Sequence, residues 1–323
     1  MNFPKKVISQ VADDFSAKRQ ERESLRLKRL NEVYSLCPEI KEIDTELATV
    51  GSQIARATLM GKEGIKERID AIKIKNLALQ KKRGELLEGL GFEPSYTEPP
   101  YECEICQDTG YDGAKLCSCY RSALVTKAIE STGFGNLIKS QSFESFDLSV
   151  FEAEDAKERA NYIYSILYRF ADNFKLPCGN ILLVGGTGLG KTHLSSAVAR
   201  KVIEKGYNVV YESAESIFTE MAKERYNDTF SSEPEYFRFY TCDLLIIDDL
   251  GSEFITGFST SCLYNIINMR LNKGLPVIIS TNLSSDEIRS KYDERIASRI
   301  FGDFTILLIK GKDQRRKKLS KKI

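Results

Sequence analysis

A run of apolar residues that leads into a glycine-rich loop, at 181–192, constrains this chain more than any other stretch. It reads Ile-Leu-Leu-Val and then Gly-Gly-Thr-Gly-Leu-Gly-Lys-Thr, the G-x-x-x-x-G-K-T spacing of a phosphate-binding P-loop. Glycines let the backbone turn with its N–H groups pointing inward, and a helix beginning near Lys191 adds the positive end of its dipole. We predict that the loop binds ATP or GTP, with Lys191 at the β- and γ-phosphates and Thr192 on Mg²⁺. The residues assigned to the nucleotide are Gly185, Gly186, Thr187, Gly188, Leu189, Gly190, Lys191 and Thr192.

The overall charge of the chain gives no indication of a nucleic-acid partner. The 323 residues carry 47 Lys and Arg against 46 Asp and Glu, a formal net charge of +1. Basic residues are concentrated only from Lys310 to Lys322, in either a solubilising tail or a segment that contacts phosphates. No apolar run approaches the roughly 20 residues needed to span a bilayer, and no signal-peptide core follows Met1. We expect a cytoplasmic protein.

The sequence divides into four regions. Up to about residue 92, apolar residues recur three or four apart with charges between them, which predicts two helices packed as a hairpin or a coiled coil with a partner. Glycines and prolines then interrupt the pattern. The predicted regions are a helical partner-binding region at 1–98, a cysteine-rich module with a linker helix at 99–130, a nucleotide-binding domain at 140–312 and a basic tail at 313–323.

Strands and helices alternate along the nucleotide-binding domain, which begins with a helix near residues 155–174. Strands are predicted at 180–184, 208–212, 244–248, 277–281 and 305–309. Helices are predicted after Lys191, after Ala214, at 259–272 and at 286–301, the last capped by Ser284 or Ser285. Because the strands are continuously apolar, we predict an α/β fold with a buried parallel sheet and flanking helices.

Two of these strands end in polar residues that belong at a nucleotide. The strand 244–248 ends in Asp248 and Asp249, a Walker B pattern in which Asp248 binds Mg²⁺ and Asp249 orients the attacking water. The strand 277–281 is followed by Asn282, which is placed to bond the γ-phosphate or that water. Because parallel strands present their carboxyl ends at one edge of a sheet, we expect these side chains to meet there.

Three arginines late in the chain are candidates for contact with the γ-phosphate. Arg295 and Arg299 stand four residues apart on one face of a predicted helix, from which either could reach the nucleotide of a neighbouring subunit. A solvated helix face produces the same pattern. Arg315 follows the last strand and could reach the γ-phosphate of its own subunit.

Four of the eight cysteines are clustered in the pattern C-x-x-C and C-x-C. Paired thiolates separated by a loop of about ten residues suit tetrahedral Zn²⁺, and four such ligands close the coordination shell, so we predict a structural site. The C-x-C pair is tighter than usual, and an iron–sulfur cluster is the chemical alternative. The predicted ligands are Cys103, Cys106, Cys117 and Cys119.

The motifs together resemble those of the AAA+ ATPases over about residues 140–316, including E-R-I-A-S-R-I at 294–300 and G-K-D-Q-R at 311–315. Within that class, Gly-Lys-Thr-His-Leu and Ile-Asp-Asp-Leu-Gly are similar to the DnaC/DnaI helicase loaders and the related IstB transposition helpers. The resemblance implies ATP–Mg²⁺ at Lys191 and Thr192, Asp248 on Mg²⁺, Asp249 as base, Asn282 as sensor 1, Arg299 as the trans arginine finger with Arg295 as its rival, and Arg315 as sensor 2.

Two departures from the general AAA+ pattern carry their own expectations. The Walker B strand ends Asp-Asp rather than Asp-Glu, and the shorter reach of Asp249 implies slow hydrolysis that serves as a switch. The chain also stops soon after Arg315, so we expect no C-terminal helical lid domain. Cysteine-bearing N-terminal regions occur in helicase loaders of this family, where they grip the replicative helicase, and this supports zinc.

The leading hypothesis is an ATP-switched factor that loads a hexameric DnaB-type helicase onto single-stranded DNA and self-associates through its ATP site. The alternative is an IstB-like transposition helper, against which the cysteine-bearing N-terminal region argues. A small-molecule P-loop kinase would leave Arg299 and Asn282 unexplained, and a pure interaction protein would not keep an intact P-loop. Candidate DNA contacts are Phe254, Phe258 and the basic residues Lys310 to Lys322.

Overall fold

The computed structural model describes residues 3–59, 64–225 and 234–311. It divides into two compact units, Ala12–Tyr120 and a second one formed by Met1–Val11 with Arg121–Ile323. None of the helices in the described ranges combines the length and apolar character that a bilayer crossing requires. The residues outside those ranges include Arg315 and the whole of the predicted basic tail at 313–323.

The region before the cysteine cluster is helical, as predicted, but its described residues, 3–59 and 64 onward, form four helices instead of two. They are α1 (Lys5–Leu36), α2 (Pro38–Ala48), α3 (Val50–Leu59) and α4 (Ile65–Gly89). The interruption that the periodicity missed lies at Cys37, which is extended because the following Pro38 clashes with a helical residue before it. Pro38 then starts α2, where its missing N–H costs nothing.

A small apolar cluster and a buried ion pair hold these helices together. Val33, Ile40 and Leu87 are buried against one another. Beside them the guanidinium of Arg83 contacts the carboxylate of Asp44 at 2.5 Å, and both side chains are about four-fifths shielded from solvent. Helices α2 and α4 are therefore fixed by packing and by a paired charge, which is worth more in this shielded position than on an open surface.

The nucleotide-binding domain contains a five-stranded sheet with flanking helices. A short hairpin, β1 (Tyr111–Asp112) and β2 (Lys115–Leu116), and then α5 (Ser118–Glu130) and α6 (Gly135–Ser140) precede it. The domain continues with α7 (Glu154–Asp172), β3 (Asn180–Val184), α8 (Lys191–Glu204), β4 (Val209–Ser213), α9 (Ala214–Arg225), α10 (Arg238–Thr241), β5 (Leu244–Leu250), α11 (Gly257–Lys273), β6 (Val277–Thr281), α12 (Ser285–Lys291), α13 (Glu294–Asp303) and β7 (Phe304–Leu308).

All five strands of the large sheet are parallel, in the order β4-β5-β6-β3-β7. Most residues of β3 and β6 are apolar, and almost all residues of both strands are buried, as the sequence pattern predicted. The predicted strands agree with the structure to within two residues at each end. The order places β3, which precedes the P-loop, next to β6, and β6 next to β5, so the carboxyl ends of these three strands lie side by side.

The helix predicted at 286–301 is two helices. Ser284 caps α12 through a reciprocal pair of bonds with Glu287, and the helix ends at Lys291. Tyr292 is extended and buried, and its hydroxyl donates to Glu253, which draws the chain out of the helical path. Asp293 then caps α13. In the described ranges β7 is the last element, and only residues 309–311 follow it.

Candidate functional site

The loop between β3 and α8 has the backbone shape that the glycine pattern predicted. Gly188 and Gly190 adopt φ angles of 76° and 89°, which side chains other than glycine rarely allow. A Cβ at Gly190 would lie 2.7 Å from the ring of Phe146, so space as well as conformation requires glycine there. Gly190 is also the residue before the first turn of α8, and the loop therefore directs the start of that helix toward a phosphate chain.

Lys191 lies at the centre of the site and is buried. Its ammonium donates to the carbonyl oxygens of Gly185 at 2.6 Å and Gly186 at 2.9 Å, and to the side-chain oxygen of Asn282 at 2.5 Å. The structure thus brings together the P-loop lysine and the residue predicted as sensor. Phosphate oxygens carry negative charge and bind an ammonium group more strongly than these neutral oxygens do, so a phosphate chain in the loop would compete well for Lys191.

The predicted magnesium ligands are adjacent. The Thr192 hydroxyl donates to Asp248 Oδ2 at 2.9 Å, while the other carboxylate oxygen accepts a bond from Ser280 on β6. A hydroxyl and a carboxylate that face each other are hard oxygen donors, and Mg²⁺ is commonly held by one or two such groups together with substrate phosphates. The side chains therefore fit a magnesium ion. Ser280 is a site residue that the sequence reasoning missed, although its position two residues before Asn282 was a usable signal.

Asp249 reaches the site because β5 is irregular at this point. The pairing of β5 with β6 shifts register between Ile247 and Leu250, and Asp249 takes a φ of 55°. Its N–H donates to the Ser280 hydroxyl at 2.9 Å, and its carboxylate accepts from the Asn282 amide at 2.9 Å. The two successive aspartates thus both reach the site, Asp248 to Thr192 and Asp249 to Asn282, instead of alternating across the sheet.

None of the contacts described above for the ATP site involves the candidate arginines of α13. Arg295 and Arg299 are exposed on α13, whose opposite face buries Ile296, Ala297 and Ile300. Arg299 forms an ion pair with Asp303 at 3.7 Å. The shared face predicted for the two arginines is present, and which of them acts as a finger stays a prediction. Arg315 lies outside the described residues.

The four clustered cysteines come together in space. Their sulfur atoms all lie within 4.8 Å of one another, with Cys103 and Cys117 at 3.7 Å and Cys106 and Cys119 at 3.4 Å. Four sulfurs at the corners of a tetrahedron around Zn²⁺, each about 2.3 Å from it, are about 3.8 Å apart. The cluster is therefore compatible with zinc, and an iron–sulfur cluster remains the chemical alternative.

The backbone around the cluster is shaped to present these thiols. The carboxylate of Asp108 accepts from the N–H groups of Glu102 and Cys103, both at 3.0 Å, and Asp108 itself has a φ of 56°. The N–H of Cys106 points at the Cys103 sulfur and lowers the pKa of that thiol to about 7, whereas burial raises the pKa of Cys119. Backbone N–H groups aimed at sulfur favour the thiolate form that metals bind.

The strand order, the glycine loop and the facing oxygen ligands define a P-loop ATPase of the AAA+ class. More particularly, the chain belongs to the IstB-like ATP binding protein family, whose model it matches over residues 129–322, more than half of its length. The cysteine cluster and the four N-terminal helices lie outside the matched residues.

The sequence identity to individual relatives is below 30% in the two matches described next. The chain is 24% identical over 234 residues to the uncharacterized protein YdaV of Escherichia coli K12, which covers 70% of this chain and 90% of YdaV. It is 28% identical over 149 residues to the chromosomal replication initiator protein DnaA of Helicobacter pylori strain Shi470, covering 43% of this chain and 32% of DnaA. The match thus spans about a third of DnaA.

Solved structures of similar proteins include the DnaC helicase loader, with a TM-score of 0.46 and 22% identity over 54% of this chain and 98% of DnaC. DnaI gives a TM-score of 0.45 and 19% identity over 56% of this chain and 93% of DnaI. Both scores lie below 0.5, so neither likeness says what this chain does.

Proposed function

We propose that this chain is an ATP-switched loader that places a hexameric replicative helicase on single-stranded DNA. The observation that carries the proposal is the combination of an AAA+ ATPase domain with a separate helical unit that ends in a four-cysteine cluster, outside the residues the family model matches. A loader needs one part that changes state with ATP and another that holds its cargo. The similarity to the chromosomal replication initiator protein DnaA is consistent with a role of this chain in DNA replication.

In this proposal the site residues divide the work of ATP hydrolysis. Lys191 would contact the β- and γ-phosphates of bound ATP, and Thr192 and Asp248 would hold Mg²⁺, which would supply positive charge against the charge that develops on the phosphates. Asp249 accepts a proton from the attacking water, and Asn282, bonded to Asp249 at 2.9 Å, keeps that carboxylate in place. An aspartate is one methylene shorter than the usual glutamate, and this favours slow turnover suited to a switch.

Arg299 is the proposed trans arginine finger, and Arg299→Ala is expected to bind ATP like the wild type while hydrolysis in the assembled state falls about 10³-fold, the lower end for such fingers. The measurement is ATPase rate as a function of protein concentration. Folding is expected to be intact, because only an exposed ion pair with Asp303 is lost.

Arg295→Ala is the matched control, since it removes the same group one turn earlier on the same exposed face. It is expected to keep the concentration-dependent rate. If Arg299→Ala turned over ATP normally and Arg295→Ala did not, the finger role would pass to Arg295.

Helix α4 provides a candidate surface for the helicase. Ile74 and Leu77 are 69% and 55% exposed, and a spacing of three places them on one face of the helix. Ile74→Asp/Leu77→Asp is expected to weaken capture of the host replicative helicase at least tenfold, because a desolvated charge opposes apolar contact. The measurement is a pull-down of purified proteins with and without ATP.

Tyr162→Asp serves as the control for that experiment, since it places the same charge at a 57% exposed aromatic residue on α7 of the ATPase domain. It is expected to capture helicase normally. Absence of capture by the wild type in either nucleotide state would contradict the loader function, and equal weakening by both variants would remove α4 as the docking surface.

Single-stranded DNA is the other proposed partner. Phe254 follows β5 and is 95% exposed, which leaves its ring available to stack on a base. Phe258, the second aromatic candidate, packs partly against the domain core. The basic candidates from Lys312 onward lie outside the described residues.

The second candidate function is a transposition helper, which the match to the IstB-like family favours directly. A helicase loader and a transposition helper would use the same ATP site, and each would bind DNA. They differ in cargo, so the pull-down separates them: a transposition helper captures a transposase and leaves the helicase in solution.

A further inference from the structure

A tyrosine that the sequence reasoning did not assign lies buried beside the ATP site. Tyr211 is on β4, and its side chain is fully shielded from solvent. In the pairing of β4 with β5, Tyr211 faces Ile246 and Ser213 faces Asp248. Residues two apart on a strand share a face of the sheet, and so do residues paired across it. Tyr211 and Asp248 are therefore on the same face, the face that the start of α8 covers.

The hydroxyl of Tyr211 is bonded to the first turn of α8. It donates to the carbonyl oxygen of Thr192 at 3.3 Å. Tyr211 thus holds the backbone of Thr192, and the hydroxyl of Thr192 donates to Asp248 Oδ2 at 2.9 Å.

The ring of Tyr211 is held by a second aromatic residue. Phe134, from the turn between α5 and α6, stacks on it with the ring centroids 4.4 Å apart and the planes 13° from parallel. Such a stack limits rotation of the ring and so fixes where the hydroxyl points. A chain of contacts thus runs from Phe134 through Tyr211 to the backbone of Thr192.

We infer that Tyr211 is a positioning residue for the magnesium site. Tyr211 acts on the ion through Thr192. It holds the first turn of α8 against β4 in the position where the Thr192 hydroxyl and the Asp248 carboxylate can bind one Mg²⁺ together. This role belongs to the ATPase itself. The inference about Tyr211 does not depend on whether the protein that this chain loads is a helicase.

The test is the magnesium dependence of nucleotide binding in Tyr211→Phe. This change removes one oxygen and leaves the ring and its stack on Phe134 in place. The readout is the affinity for a fluorescent ATP analogue, first in EDTA and then across a MgCl₂ titration. We expect affinity in EDTA within about twofold of the wild type, because the loop and Lys191 are untouched. The Mg²⁺ concentration for half-maximal tightening should rise about fivefold, the value of one net hydrogen bond, and saturating Mg²⁺ should restore full affinity.

Two further variants separate positioning from a general loss of packing. Tyr240→Phe removes a hydroxyl from another buried tyrosine, which packs against Tyr236 and Phe237, and it should leave the Mg²⁺ curve unchanged. Phe134→Leu keeps the Tyr211 hydroxyl but removes the stack, and it should shift the curve in the same direction by less. A wild-type Mg²⁺ curve for Tyr211→Phe would overturn the inference. So would an equal shift in Tyr240→Phe, or an equal loss of affinity in EDTA.

Discussion

Lys191→Ala is expected to weaken ATP binding at least 100-fold and to abolish hydrolysis. The ammonium is buried, 7% exposed, with acceptors from both the loop and Asn282 around it. Without it the phosphate chain would enter a shielded site with no lysine to neutralise it, and truncating one partner of a buried charge pair costs about 2–5 kcal/mol. The measurement is calorimetric titration with ATP and Mg²⁺, together with phosphate release.

Lys201→Ala is the matched control for this variant. Lys201 is in the last turn of the same helix, α8, whereas the loop lies before its first turn, and its ammonium pairs with Asp172 at 3.1 Å. ATP binding should be unchanged in this variant. Near-normal ATP affinity in Lys191→Ala, with an unaltered melting temperature, would contradict the assignment of the loop.

Loss of one cysteine from the four-cysteine cluster is the second change for which we expect a large effect. Cys106→Ser and Cys117→Ser each remove a buried sulfur, 4% and 3% exposed, from a set of four. Structural zinc contributes about 10–16 kcal/mol of apparent binding energy in small modules, so a site with three ligands should lose the metal and its surrounding fold. The wild type is expected to contain one metal ion per chain by elemental analysis, and the variants none.

Cys37→Ser is the control, because Cys37 is a free thiol in the same unit that does not belong to the cluster. It should retain the metal. ATP binding should persist in the cluster variants, since none of the contacts described for the ATP site involves a cysteine of the cluster. If the wild type contained iron and absorbed visible light, the cluster would be assigned as iron–sulfur instead of zinc. Wild-type protein that is metal-free and insensitive to chelators would contradict a metal site at these cysteines.

The parts of the ATP site that depend on local geometry could be predicted from the sequence. The glycine spacing fixes the loop because Gly188 and Gly190 need left-handed backbone, and the apolar strands fix the class of the sheet. Residues at the carboxyl ends of β5 and β6 were correctly expected to meet, because parallel strands share that edge.

The remaining features arise from contacts between distant parts of the chain. The irregularity that brings Asp249 to Asn282 depends on the pairing of β5 with β6 and on the Ser280 hydroxyl between them. The break between α12 and α13 depends on burial of Tyr292 against Glu253. A periodicity argument sees neither, because it considers one segment at a time. Tyr211 was missed for the same reason: its partners are on α8 and in the turn before α6.

The most direct test of the loader function is helicase-dependent unwinding on a closed circle of single-stranded DNA that carries an annealed strand. A hexameric ring cannot thread onto such a circle from an end, so release of the strand reports loading. We expect release with the wild type, the host replicative helicase and ATP, and none with Lys191→Ala. Unwinding that is equally fast with and without the wild-type chain, using a helicase shown to need loading, would contradict the function proposed here.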